Sequence, residues 1–342
     1  MKVLIAGGGV GGTATALALR RAGIDAVVYE AHAAGGDDAG AFLTVMANGM
    51  AALETIGAAR AVIEASYPAT AVSVEDAGGR QLGNRPIEGI ARTLTRAALY
   101  RALQEVARER GVPVVHGKRL VDAAVDGGVE VRFADGERAS GDVLVGADGV
   151  HSVTRRLIDP DGPAPRYTGE RVVYGYADGN PGDGEPEAYR MVFGSRAFFG
   201  FTVPGDGRTW WFTRIRGEAQ PAATDWREMA LAAAGDDATP AAAIIRATRD
   251  EEVVGGNSYD IPSTPRWHGE RMVLVGDAAH AASPAAAQGA SMALEDAVEL
   301  ASALAAHAEP AEAFAAYEAV RRPRTEEMVA ASARMSGGQA RS

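Results

Sequence analysis

The sequence predicts an α/β protein in which a parallel sheet is started, interrupted and resumed, with a smaller antiparallel layer inserted and helices at the carboxyl end. Three observations carry this. Val3-Leu4-Ile5-Ala6 is a continuous apolar run that breaks into glycines and then a helical pattern. Between residues 171 and 261 the periodicity falls to two, and Met272-Val273-Leu274-Val275-Gly276 returns to the pattern of a strand buried on both faces. A chain of 342 residues with 47% apolar content can bury such a core.

In chain order, the first strand leads to a helix over residues 11–22, closed by Gly23, and to a second strand, Ala26-Val27-Val28-Tyr29-Glu30, which makes a βαβ unit with a right-handed crossover. A polar loop at Gly35-Gly36-Asp37-Asp38 follows, then a helix over 48–65 with Leu53, Ile56 and Ile63 as its stripe. Val72-Ser73-Val74 and Gly79-Arg80-Gln81-Leu82 read as a hairpin, 96–110 as a helix, and 112–115, 129–133 and 143–146 as strands that resume the sheet. Strands at 172–176, 189–193, 196–203 and 208–216 are divided by turns such as Gly194-Ser195 and Pro204-Gly205-Asp206-Gly207. Helices are expected over 225–234, 240–248, 289–307 and 311–333, with fraying from Gly337.

Composition narrows the function. A net charge of -11 and a pI near 5.1 disfavour nucleic acid and anionic membrane as partners and leave small molecules. With no cysteine, there is no disulfide, thiolate metal site or cysteine nucleophile, so redox work needs a bound cofactor. The histidines show no metal-ligand spacing. The apolar run after Lys2 is too short for a signal peptide or membrane span, so the expectation is a cytoplasmic protein, monomer or homodimer. Abundant alanine, with Lys2 and Lys118 the only lysines, points to a GC-rich bacterial source.

The chemistry-bearing motifs begin with Gly7, Gly9 and Gly12, a GxGxxG between strand and helix. Its glycines permit the turn, the approach of a pyrophosphate and close helix packing, with phosphate on the helix N-terminus. Glu30 ends the second strand 18 residues after Gly12, where a carboxylate binds a ribose diol and repels a 2′-phosphate. The nucleotide is therefore FAD or NAD, and the domain Rossmann-like. Asp142-Val143-Leu144-Val145-Gly146-Ala147-Asp148-Gly149 delivers a second acidic turn, with Ser152 as an N-cap. Asp148 is either a ligand or a turn former. Gly276-Asp277 ends a third strand, where an aspartate can accept hydrogen bonds from the ribityl hydroxyls that a flavin has and a nicotinamide dinucleotide lacks. Gly289-Ala290-Ser291-Met292 opens a helix whose amides can face a flavin pyrimidine, and His280 reads as a structural histidine.

These motifs, in this order over nearly the whole chain, resemble the class A flavoprotein monooxygenases, the family of para-hydroxybenzoate hydroxylase, salicylate hydroxylase and the tetracycline-inactivating monooxygenases. The resemblance implies FAD as cofactor, NADH or NADPH as a transient reductant without a second Rossmann unit, and oxygen transfer through a flavin hydroperoxide to an aromatic or otherwise electron-rich small molecule. No protein nucleophile or metal is expected. It implies that Gly7, Gly9, Val10, Gly11, Gly12, Glu30 and Ala31 line the dinucleotide, that Arg96 approaches the flavin or pyrophosphate, and that Val121 lies against adenine. Asp148, Gly276, Asp277, Pro284, Gln288, Gly289 and Ala290 complete the cofactor set. The family usually has Gly-Gln-Gly after the proline, whereas Ala287 stands here before Gln288-Gly289.

On this reading residues 1–68, 95–166 and 263–310 form the FAD-binding domain, 69–94 and 167–262 the substrate domain, and 311–336 a C-terminal helix. Tyr174, Tyr176, Met191, Phe199, Phe201, Trp211 and Arg214 are the substrate candidates, divided between two faces of the sheet by its period of two. Such a lining suits a phenol, polyketide, indole or terpene portion. The rivals are a reductase or halogenase of similar fold and a non-catalytic nucleotide-binding module. Trp210-Trp211 does not match the Trp-x-Trp-x-Ile-Pro of halogenases, and neither lysine lies in a fitting segment.

Overall fold

The computed structural model describes residues 1–33, 41–283 and 287–338. The expected loop at Gly35-Gly36-Asp37-Asp38 lies outside them. Among the described residues four sheets form. The first is parallel, in the order Met272–Leu274, Val143–Gly146, Lys2–Ala6, Asp25–Tyr29, Val114–Val115. Val3, Leu4, Ile5, Val143, Val145, Val273 and Leu274 are wholly buried, as a sheet covered on both faces requires. Helix Val10–Arg21 crosses from the first strand to the second and packs against Gly289–Ala306 and Arg96–Glu109.

The largest sheet runs Val254–Asp260, Arg166–Asp178, Arg208–Arg216, Ala197–Thr202, Ala188–Phe193, Ala71–Asp76, Gln81–Pro86. Helices Trp226–Ala234 and Ala241–Arg246 cover one face, burying Val173, Val192, Phe199, Phe201, Trp211 and Ile215 against Ala230, Ile244 and Ile245. A small sheet of Phe42–Val45, Arg92–Thr95 and Tyr67–Pro68 joins this layer to the parallel one. The joint is polar: the Tyr189 hydroxyl lies 2.8 Å from both the Thr44 and Thr93 hydroxyls, all three buried.

Three elements differ from expectation. Val129–Phe133 does not resume the parallel sheet; it pairs antiparallel with Leu120–Val125 and Arg138–Gly141, because only alternate residues are apolar and one face meets water. The helix expected over 48–65 is two, Ala47–Thr55 and Ala59–Glu64. Gly57 breaks it with φ +69°, and Arg110 donates to the freed carbonyls of Ile56 and Gly57 at 2.5 and 2.7 Å. The substrate sheet is mixed rather than antiparallel, because the hairpin of Ala71–Asp76 and Gln81–Pro86 docks parallel to Ala188–Phe193. The last helix, Pro310–Gly338, carries Pro323 within it.

Tyr189→Phe should lower stability by about 1–3 kcal/mol, since it leaves two buried threonine hydroxyls without their partner. The midpoint of urea unfolding measures this. An unchanged midpoint would show that the hydroxyl joint contributes nothing.

Candidate functional site

In the parallel sheet Ala6, Gly146 and Leu274 stand side by side in register. The three motif turns therefore leave from one carboxyl edge, where ligands of open α/β sheets lie. The backbone closes tightly there. A Cβ on Gly7, which has φ +100°, would come 2.4 Å from the Ala147 carbonyl oxygen, and one on Gly12 would come 1.9 Å from that of Gly7. Gly9 is different: nothing lies within 4 Å of a Cβ built on it. It is the N-cap of the helix Val10–Arg21 and offers no side chain to the first amides, so the N-terminus is left open for a phosphate. A cradle that a methyl group would begin to fill fits the pyrophosphate of FAD.

Glu30, 8% exposed, stands at the next strand end. Its Oε2 accepts from Gly8 N at 2.7 Å, and its Oε1 from His32 N and Nδ1 at 2.8 and 2.7 Å. Burial opposes its ionisation, but these donors hold the carboxyl below the usual glutamate value. A carboxylate has about four acceptor positions, so Oε2 keeps one open. Val121, on Leu120–Val125 and 38% exposed, follows a segment tied to the same place by Lys118 N donating to the Glu30 carbonyl at 2.7 Å. Arg96 is exposed, with no side-chain partner among the described residues. It lies on the same helix face as Gln104, whose Nε2 reaches the Gly8 carbonyl at 3.4 Å, about 12 Å further along the axis.

Asp277 is exposed between Gly276 and the buried Ala278, and its carboxylate has no hydrogen-bond partner among the described residues. Its Oδ1 lies 3.9 Å from a Cβ built on Gly289, at the start of Gly289–Ala306. That helix has no side-chain cap, so the amides of Gly289 and Ala290 are open beside the acid. Gln288 accepts from Asn48 Nδ2 at 3.3 Å, and Ser291 Oγ accepts from Met46 N at 3.1 Å. Ala287 has φ +51°, a left-handed conformation that favours glycine. Pro284 lies outside the described residues. Ala293 unites the motifs: its Cβ is 3.5 Å from a Cβ built on Gly11 and 3.1 Å from one on Gly276.

Asp148 is engaged within its own turn. Its carboxylate accepts from Ser152 Oγ, from Val153 N and Thr154 N at 2.8 and 3.0 Å, and from Thr154 Oγ1 at 3.1 Å. Oδ2 takes three of these donors and Oδ1 one, so the carboxylate ties down the first amides of the helix Val153–Ile158, whose N-cap is Ser152, and keeps one acceptor position on Oδ1. Phe199, Phe201 and Trp211 are corrected: they point into the core under the two covering helices, because odd positions on their strands share that face. Tyr174, Tyr176, Met191 and Arg214 lie on the other face, joined there by Phe42, Trp210 and Phe212.

Sequence reasoning missed the buried charges behind Asp277. Asp296, wholly buried, accepts from Gly276 N at 2.8 Å and Arg321 Nε at 2.7 Å and lies 2.5 Å from His280 Nε2. Burial opposes its ionisation, yet His280 and Arg321 bring its pKa down to about 2; burial likewise opposes protonation of His280, and the carboxylate outweighs it and raises that pKa. Arg155, 3% exposed, donates to the Ala278 and Val150 carbonyls at 2.9 and 2.6 Å, bolting the second motif to the third. The available signal was an aspartate within an apolar helical stripe, Ala293, Ala297 and Leu300.

Comparison with known proteins gives the family. The model of a family described as FAD binding domain matches residues 1–332. Aurachin C monooxygenase/isomerase of Stigmatella aurantiaca is 33% identical over 348 residues, covering 98% of this chain and 88% of that one. Zeaxanthin epoxidase of Solanum lycopersicum is 30% identical over 88% of this chain and 47% of its own length. Among solved structures, Klebsiella pneumoniae HpxO complexed with FAD and uric acid superposes with a TM-score of 0.89 at 27% identity, over 98% of this chain and 87% of that one.

The Asp296 cluster sets a pH test. Its folded pKa lies below the ordinary 3.8, so the stability it lends, about 2 kcal/mol, is complete above pH 3.8 and lost as pH falls through about 2. Wild type should lose stability over that window more steeply than Asp296→Asn, as read from denaturant midpoints. Parallel curves would contradict it.

Proposed function

The chain belongs to the FAD binding domain family and is an FAD-dependent monooxygenase; from that premise we propose that it takes electrons from NADH or NADPH and hydroxylates or epoxidises an aromatic or otherwise electron-rich small molecule in the cytoplasm. The observation that carries this reading is the convergence of the glycine turn, Glu30 and Asp277, unpartnered among the described residues, on one edge of the parallel sheet. Bound FAD supplies the two-electron transfer and the activation of dioxygen.

The chain's own residues bind, orient and exclude. Amides at Val10, Gly11 and Gly12 receive the pyrophosphate, with Gly7 closing the turn against Ala147 and Gly9 leaving room. Glu30 holds the adenosine ribose, with Ala31 and Val121 beside the adenine, and Arg96 approaches the pyrophosphate or flavin. Asp277 accepts from the ribityl hydroxyls, and the helix N-terminus at Gln288, Gly289 and Ala290 favours negative charge on the reduced ring. Residues 1–68, 95–166 and 263–310 hold FAD, 69–94 and 167–262 present the substrate, and 311–336 brace the fold.

The substrate lies against the open face of the large sheet, near Phe42, Tyr174, Tyr176 and Met191. The Tyr176 hydroxyl is buried without a partner among the described residues, and burial keeps it protonated far above the ordinary tyrosine range. An oxygen acceptor on the substrate satisfies that donor, which otherwise costs about 1–3 kcal/mol.

Purified protein should be yellow and should oxidise NADH or NADPH faster when phenolic, indolic or polyketide compounds are added. A colourless preparation that takes up no FAD overturns the cofactor reading, and a wholly ligand-independent rate overturns the hydroxylase reading. Asp277→Ala should weaken FAD retention, and Glu30→Ala should cost about 1–2 kcal/mol of FAD affinity for a lost charged hydrogen bond. Unchanged dissociation constants in folded variants would remove those roles.

A further inference from the structure

We infer that the substrate carries an extended apolar tail, laid along a row of aromatic rings that runs from the flavin edge to the protein surface. This rests on the function proposed above and narrows its substrate class. From Phe42 the ring centroids step 6.0 Å to Phe212, 5.9 Å to Phe198 and 5.3 Å to Phe193. The last three rings stand on adjacent strands and on one face, since Phe193 faces Phe198 in register and Phe212 faces Gly200.

Gly200 forms the floor of the row. A Cβ there would meet the Phe212 ring at 2.6 Å and Met191 Sδ at 2.8 Å, so both side chains fold down across the strand. Phe42, Met191, Phe198 and Phe212 remain partly exposed, and Phe193 is 42% exposed. The covering helices occupy the opposite face. A single exposed phenylalanine is ordinary, but a contiguous apolar row reaching the site marks a binding surface.

The inner end is continuous with the cofactor edge, because the strand of Phe42 runs on to Met46 and Asn48, which bond Ser291 and Gln288. From Phe212 the row crosses two further strands, about 10 Å at ~4.8 Å each, longer than one ring and suited to a hydrocarbon chain. The charge beside it, Arg214, lies 4.4 Å over the Phe198 ring and 3.8 Å from Glu170, so its head is directed to the protein. The polar head of the substrate belongs at the inner end, where Phe42 and Tyr176 meet at 6.4 Å.

The test is a binding series on FAD-loaded enzyme, with para-alkylphenols from methyl to nonyl titrated by flavin absorbance. Each added methylene should tighten binding up to about fourfold until the tail passes Phe193. Phe193→Ser, at an exposed position, and Phe198→Ser should weaken nonylphenol by about tenfold and leave methylphenol unchanged. Affinity indifferent to chain length, variants that weaken short and long phenols alike, or no binding by any phenol overturns the inference. When the protein is yellow and oxidises NADH or NADPH, such a result leaves the proposed function standing, whereas a colourless protein overturns both.

Discussion

The close backbone contact at Gly12 is the constraint on which the molecule depends. With no Cβ, this residue lets the first helix lie against the Gly7 carbonyl, and Gly7 in turn lies against Ala147. Any side chain at either position would push the helix off the sheet and move its open N-terminal amides away from the other two motifs. Gly9 stands clear beside them, so one turn contains both glycines the fold needs and a glycine with open space around it.

Behind that edge the protein spends charge to hold shape. Asp296, His280 and Arg321 are buried, and their bonds fix the Gly276 amide rather than touching the place where a ligand would lie. Arg155 does the same between the Asp-Gly turn and Ala278. Asp277 is left exposed on a rigid support, a pre-oriented acceptor rather than a flexible one. Removing one member of such a network strands its partners without counterions in the interior, so its members act as a unit.

Local features were legible in the sequence and long-range ones were not. The glycine turn, Glu30 and Asp277 could be placed because each follows a short apolar run whose end is visible in the residues themselves. Val129, Val131 and Phe133 alternate with Glu130 and Arg132, a period of two that marks a half-buried strand and that the expectation of a resumed parallel sheet passed over. The aromatic sheet showed its two faces but not which one the helices at 226–234 and 241–246 would cover, because that depends on chain returning from elsewhere. Asp148 had two readings from its Asp-Gly pair, and the donors of Ser152, Val153 and Thr154 that make it a turn former are visible only in the structure. Ala287 departs from the family's glycine and yet takes the left-handed conformation that a glycine would take.

The most direct measurement is a crystal structure of the FAD-loaded enzyme. The cofactor should lie extended along the carboxyl edge, its adenosine ribose within hydrogen-bond distance of Glu30 Oε2, its pyrophosphate over Gly9 and its ribityl chain on the Asp277 carboxylate. A flavin bound elsewhere, or one whose ribityl hydroxyls do not touch Asp277, would contradict this arrangement.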